Sequence, residues 1–199
     1  VVNTTTVSDE VVVVTPFISD ADQNALLSEW RVLAPSPGNG SAPFTYSGAI
    51  TAVATDGSTS TPPVGVPLGQ LLSITSTLTG GLQLQAAGGG STTSQAFVRN
   101  DSTNVKLLTV LWFVDGSLVL TEGNLNQGAT ATLGLTRTLL FYLRTMPAPS
   151  ARRASQGALI IETDPVPYAI PPQTNAVTVT WSRAGAAGKD VLTFTPPSA

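Results

Sequence analysis

The amino-acid sequence predicts an all-β fold: an antiparallel β-sandwich or jelly-roll-like barrel with one short helix. Three observations carry this. Apolar residues recur at period two, or in short continuous runs rich in Val, Ile, Leu and Thr, as strands require. Gly, Pro, Asn and Asp break those runs roughly every eight to twelve residues, the spacing of a sandwich or barrel. One segment alone shows helical periodicity. At 199 residues the chain suits a single β-sandwich domain spanning 1–199, with 1–18 as a linker or edge strand. The stretch Ala86–Ser94 is the strongest candidate for an internal boundary.

Taken in order, Val11–Thr15 is a β-branched run that Pro16 ends. Ser19 then offers a helix cap with Asp22 three residues on, and Leu26, Leu27, Trp30 and Leu33 share one helical face. Ala34–Pro43, with three prolines and two glycines, is a loop. Phe44, Tyr46 and Ile50 return to period two. Leu71–Thr79 turns through Gly80-Gly81 into Leu82–Gln85, and Ala86–Ser94 is a glycine- and serine-rich loop. Val105–Val114 and Ser117–Leu120 flank Asp115-Gly116, the preferred pair for a type I′ hairpin because both turn positions need positive φ. Two strands follow, Ala129–Leu135 and Thr138–Thr145, and then a third, Ala158–Glu162. Asp164–Pro172 carries four prolines around Tyr168 and reads as an irregular crossing. Ala176–Trp181 pairs with Val191–Thr195.

The composition excludes much chemistry. There is no histidine and no cysteine, so the commonest general base, the commonest metal ligand and every thiolate site are absent. Serine–histidine hydrolases, cysteine proteases and thiolate zinc centres drop out, and a non-enzymatic role is expected. Charged residues make up 11% of the chain, against a typical ~25%, so the surface must be built from Ser, Thr, Gln, Asn, Gly and Pro. A net charge of −3 argues against nucleic-acid contact by this segment. No run reaches the ~20 apolar residues of a membrane helix. The chain opens on Val1 and not on methionine, so a processed, excised or only partly ordered chain is expected.

Chemistry could still reside in carboxylates. The close acidic pairs are Asp9 with Glu10, Asp20 with Asp22, and Glu162 with Asp164. A glycosidase needs two carboxyls facing a cleft, usually among aromatics, yet aromatics are 6% here. Helix capping and turn chemistry account for these acids more simply. Catalytic, cofactor and metal residues are therefore expected to number none, with calcium at an intersubunit site the one cofactor the acids could hold. Gly88-Gly89-Gly90-Ser91-Thr92 resembles a phosphate cradle but lacks the terminal Lys and any following helix. Arg152-Arg153 reads as a solvated loop tip or a processing site. Asn3, Asn39 and Asn100 begin Asn-x-Ser/Thr sequons, a number that a Ser/Thr-rich chain carries by chance. Trp30, Trp112 and Trp181 lie in separate segments and suit core or rim packing better than a sugar platform.

Many short strands, Pro/Ser/Thr/Gly loops, low charge and an apolar strand such as Leu107-Leu108-Thr109-Val110-Leu111-Trp112-Phe113 together resemble the coat proteins of small icosahedral RNA viruses, the nodavirus, tetravirus and tombusvirus groups. The resemblance lies in character along the whole chain, not in a diagnostic motif. It implies a virion protein forming a capsid shell or a surface protrusion, by self-association into a homo-oligomer or icosahedral assembly. It also implies attachment to a host receptor or glycan through loops such as Pro35–Pro43 and Ala86–Asn104. Those families carry an arginine-rich N-terminal arm, which this segment lacks, so the arm lies elsewhere or the segment is a protruding domain. A secreted or cell-surface adhesin or carbohydrate-binding module, extracellular, is the alternative. A histidine-free glycosidase or lyase ranks third.

Overall fold

The computed structural model describes residues 1–6, 10–19, 25–27, 29–145, 165–171, 176–184 and 189–195. They are all-β, and no helix occurs among them. The strands are β1 (Val2–Asn3), β2 (Glu10–Ser19), β3 (Ala25–Leu27), β4 (Arg31–Leu33), β5 (Gly40–Ser41), β6 (Ile50–Thr55), β7 (Val64–Gly65) and β8 (Gln70–Ser76). They continue as β9 (Leu82–Gly89), β10 (Gln95–Asn100), β11 (Leu107–Val114), β12 (Ser117–Asn126), β13 (Thr130–Thr145), β14 (Val166–Ala169), β15 (Thr178–Ala184) and β16 (Lys189–Thr195). The chain divides into two compact units. The first holds Val1–Thr15, Arg31–Thr45 and Arg137–Ala199; the second holds Pro16–Trp30 and Tyr46–Thr136. Ala86–Ser94 is not a boundary, since it lies wholly inside the second unit.

The helix expected over Ser19–Leu33 is not found among the described residues. Ala25–Leu27 pairs with Leu120–Glu122 of β12, and Arg31–Leu33 pairs with Val12–Val14 of β2. Residues 20–24 and 28, with Asp20 and Asp22, lie outside the described part. The helical spacing of Leu26, Leu27, Trp30 and Leu33 is thus overridden by open strand edges that those segments complete. Val11–Thr15, expected as an edge or linker strand that Pro16 ends, lies in β2, an inner strand between β4 and β13 that continues through Pro16. Its β4 flank is paired only at Val12–Val14, so Pro16 falls beyond the end of that ladder, where a missing N–H is tolerated.

In the first unit a four-stranded sheet runs β16-β15-β1-β5. β15 and β16 form the expected hairpin, from Thr178↔Thr195 to Ala184↔Lys189. Val11, Val12, Val13 and Val14 are all fully buried, as a continuous apolar run covered on both faces should be. Each buried valine stabilises the fold by about 1.5–3 kcal/mol. Phe44, Phe141, Phe194 and Tyr168 form a chain of rings, with centroid separations of 6.3, 5.1 and 4.7 Å; Phe141 is buried and the other three are half-buried. The proline-rich crossing contains a strand, because Val166–Ala169 pairs with Thr138–Phe141 of β13. β10 occupies the other half of β13, at Thr130–Gly134, and Pro167 is tolerated in so short a flanking strand. Ala158–Glu162 and Arg152-Arg153 lie outside the described residues.

The curled sheets of the second unit form a sandwich or half-barrel. One sheet runs β3-β12-β11-β6-β7, and the other adds β10, β8 and β9 to the first half of β13. β11 alternates strictly along its length. It buries Leu108, Val110, Trp112 and Val114, and the second sheet buries Leu72, Ile74, Leu84, Val98 and Leu133. Asp115-Gly116 forms the expected I′ hairpin, with φ of 49° and 75° and Val114 paired to Ser117. The Gly80-Gly81 turn between β8 and β9 also forms. Ala129–Leu135 and Thr138–Thr145 are one strand, β13, not two.

Not every pair is antiparallel. β8 and β10 run parallel, as do β1 and β15. β9 ends beside the start of β8, and the link Gly90–Ser94 lays β10 on the other flank of β8, which forces the parallel direction. The link encircles Gly69: Gly90 N–H donates to Gly69 O, and Gly69 N–H donates to Gln95 O, each at 2.7 Å.

Candidate functional site

That crossover explains the glycine run once read against a phosphate cradle. A Cβ on Gly90 would sit 2.1 Å from the Phe97 ring, well inside van der Waals contact. The glycines therefore let the chain pass over an aromatic ring, with Ala86–Gly89 belonging to β9 and not to a loop.

The described acidic side chains are engaged in structural bonds. Glu10 meets Arg183 at 3.4 Å; its neighbour Asp9 and the pair Glu162 and Asp164 lie outside the described residues. Asp56 accepts from Ser58 N–H and Thr59 N–H at 2.8 and 2.7 Å. Those two backbone donors, Thr59 first, hold its carboxyl down to about 2. Asp101 takes a bidentate contact from Arg99 at 2.7 and 3.0 Å and a hydroxyl bond from Ser73, which lower its pKa in that order. Asp115, in the hairpin tip, reaches back to the chain before β6. It accepts from Ser47 Oγ, and from the N–H groups of Ser47 and Ala49 at 2.9 and 3.1 Å. Burial pushes its pKa up, but these donors together outweigh burial and leave it lowered. Among the described residues no three acidic side chains converge as a metal site.

All three tryptophans are interior, with 3%, 0% and 0% exposure for Trp30, Trp112 and Trp181. Each indole N–H is satisfied: Trp30 by Val114 O at 2.7 Å, Trp112 by Glu122 Oε2 at 2.9 Å, Trp181 by Asp190 Oδ1 at 3.2 Å. Buried indoles of this kind pack cores and offer no face to a sugar. Two of the three sequon asparagines are fully buried, Asn3 and Asn100, with their amides donating to Pro35 O and Leu125 O. Asn39 is exposed, at φ 73°.

The two loops expected to carry contacts are shorter than they looked. Within Pro35–Pro43, Gly38 and Asn39 donate to Thr5 O and Asn3 O, and Gly40–Ser41 is strand β5. Ala86–Asn104 contains the end of β9 and all of β10, which leaves Gly90–Ser94 and Asp101–Asn104 as the connecting segments.

A concave feature that sequence reasoning missed is an open cavity of about 470 Å³ in the second unit, walled by Gly48, Ala49, Ile50, Val66, Pro67 and Leu68. Gly48 has φ 70°, in the segment that Asp115 fastens, so the hairpin tip shapes one wall. Its lining carries no nucleophile, acid or base, and it suits a small apolar group better than a reaction. The Asp-Gly turn was legible in the sequence, but the reach of Asp115 over 66 residues to Ala49 was not.

No helix among the described residues is long and apolar enough to cross a membrane. No protein-family model, curated protein or solved structure matches this chain.

Proposed function

We propose that this chain is a structural coat-protein domain of a small non-enveloped virus, part of a shell or a surface protrusion, acting by self-association and attachment and not by turnover. The observation that carries the reading is a long uncharged stretch in an all-β unit: no Asp, Glu, Lys or Arg occurs between Asp56 and Arg99. That stretch includes β7, β8, β9 and most of β10. Neutral hydrogen-bonding surfaces of Thr, Ser and Gln form weak contacts that repetition on a closed assembly multiplies. The structural engagement of Asp56, Asp101, Asp115, Glu122 and Asp190 favours this reading over a carboxylate hydrolase. The burial of Trp30, Trp112 and Trp181 favours it over an aromatic sugar-binding module.

Light scattering and negative-stain microscopy of the longest product containing this segment test the proposal. Closed particles of uniform diameter are expected. A strictly monomeric product that binds a glycan array through saturable sites would replace it with the adhesin reading. Saturable hydrolysis of a glycan or ester would replace both.

A further inference from the structure

The outer edge of β9 is the last strand position of its sheet, and no described residue pairs with it. Natural sheets guard such edges with lysine, proline, inward charges or bulges. Here no charged residue lies between Asp56 and Arg99, and no proline between Pro67 and Pro147. A register shift separates the Leu71↔Gly88 and Leu72↔Ala86 pairs, so the regular edge is Leu82–Ala86.

We propose that a second copy of this chain docks on β9, antiparallel, about a two-fold axis at Leu84. The register follows from the regular edge, whose midpoint is Leu84. A two-fold axis there sets Leu82 against Ala86 of the other copy, and Gln83 against Gln85. The two Gln side chains are exposed and carry both donor and acceptor, so the ladder is self-complementary. The same symmetry repeats the Gln83–Gln85 pair on both sides of the axis, as an isologous interface requires.

Charge gives the salt dependence its sign. The second unit carries seven acidic and two basic residues, a formal −5. Two copies repel through that charge, so added salt strengthens the pairing by screening. This inference names the surface through which the self-association proposed above begins, and it can fail separately.

Sedimentation velocity over a concentration series, on the full chain, reads the association. The parent is expected to form a dimer that tightens as sodium chloride rises. Gln83→Lys/Gln85→Lys places two like-charged pairs in the ladder and is expected to weaken the dimer on the order of tenfold. The circular dichroism of that variant should be unchanged. Because the chain has no cysteine, a mixture of Gln83→Cys and Gln85→Cys copies should cross-link on oxidation, and either alone far less. A monomeric parent, a dimer indifferent to the lysines, or equal cross-linking of each cysteine alone overturns the proposal. A dimer without particles removes the shell reading and keeps this one; particles that persist in the lysine variant do the reverse.

Discussion

The two units build the same device in different surroundings. In the second unit Trp112 faces Leu120 across the β11–β12 hairpin, and its indole N–H donates to Glu122, two residues along the partner strand. In the first unit Trp181 faces Leu192 across β15–β16, and its N–H donates to Asp190, also two residues along. Both place a large ring inside a sheet and satisfy its one donor diagonally across the hairpin. The difference is what surrounds the carboxylate. Glu122 is buried at 7% exposure, whereas Asp190 also meets an exposed arginine, Arg183, at 2.9 Å. The charge balance differs too: five acidic and seven basic residues in the first unit, against seven and two in the second. A carboxylate bonded to a buried indole is a structural element, and its worth depends on how little water can replace it.

Breaking the device in each unit gives the largest expected effect. Glu122→Ala leaves the Trp112 N–H in a dry interior and opens a small void, so it should cost about 2–3 kcal/mol. Asp190→Ala leaves a donor nearer the surface and should cost about 1 kcal/mol or less. Urea denaturation of both variants measures the gap. Equal losses would mean that the two hairpins are equally dry, and the comparison would fall.

Next in size are the glycines. Gly90→Ala drives a Cβ into the Phe97 ring and should destabilise the fold by about 1–3 kcal/mol through overpacking. A Cβ at Gly116 meets no atom within 4 Å, so the cost of Gly116→Val is set by a β-branched residue at φ 75°, on the order of 1 kcal/mol. Phe97→Leu should rescue part of the Gly90→Ala loss and none of the Gly116→Val loss. Thermal melts of the four variants check this. Failure of the rescue would place the Gly90 penalty in the turn and not against the ring.

Much of the fold was legible because local chemistry decided it. Asp115-Gly116 and Gly80-Gly81 specify turns by backbone freedom alone, and the β15–β16 hairpin was readable from its paired apolar runs. The segment from Ala25 to Leu33 was misread because the spacing of Leu26, Leu27, Trp30 and Leu33 fits a helix, while its partners Leu120–Glu122 and Val12–Val14 are distant in sequence. The parallel β8–β10 pair was hidden for a similar reason, since the glycines of the crossover look like any loop. At the candidate surfaces, the open β9 edge could have been seen as an absence, a stretch with neither charge nor proline. The 470 Å³ cavity could not, because its walls come from segments joined by a carboxylate contact that no local pattern encodes.

The smallest expected effect concerns acid. Asp56, Asp101 and Asp115 all lie in the second unit, and all have lowered pKa values. A carboxylate with a folded-state pKa below its unfolded value, near ~3.9 for Asp, adds stability that is complete above that value. The contribution fades as pH falls through the folded pKa. Stability should therefore be flat from neutral pH down to about 5 and decline below about 4, ending near the value of about 2 set by Asp56. Asp115→Asn should flatten part of that decline, because an amide cannot titrate and cannot accept from Ser47 and Ala49 as a carboxylate does. Protection of the Ser47 and Ala49 amides from exchange, taken relative to their intrinsic rates from pH 6 to 3, should fall in the parent as their acceptor protonates. Protection that is absent throughout would mean that Asp115 does not hold this segment, and that the cavity wall it shapes is set by something else.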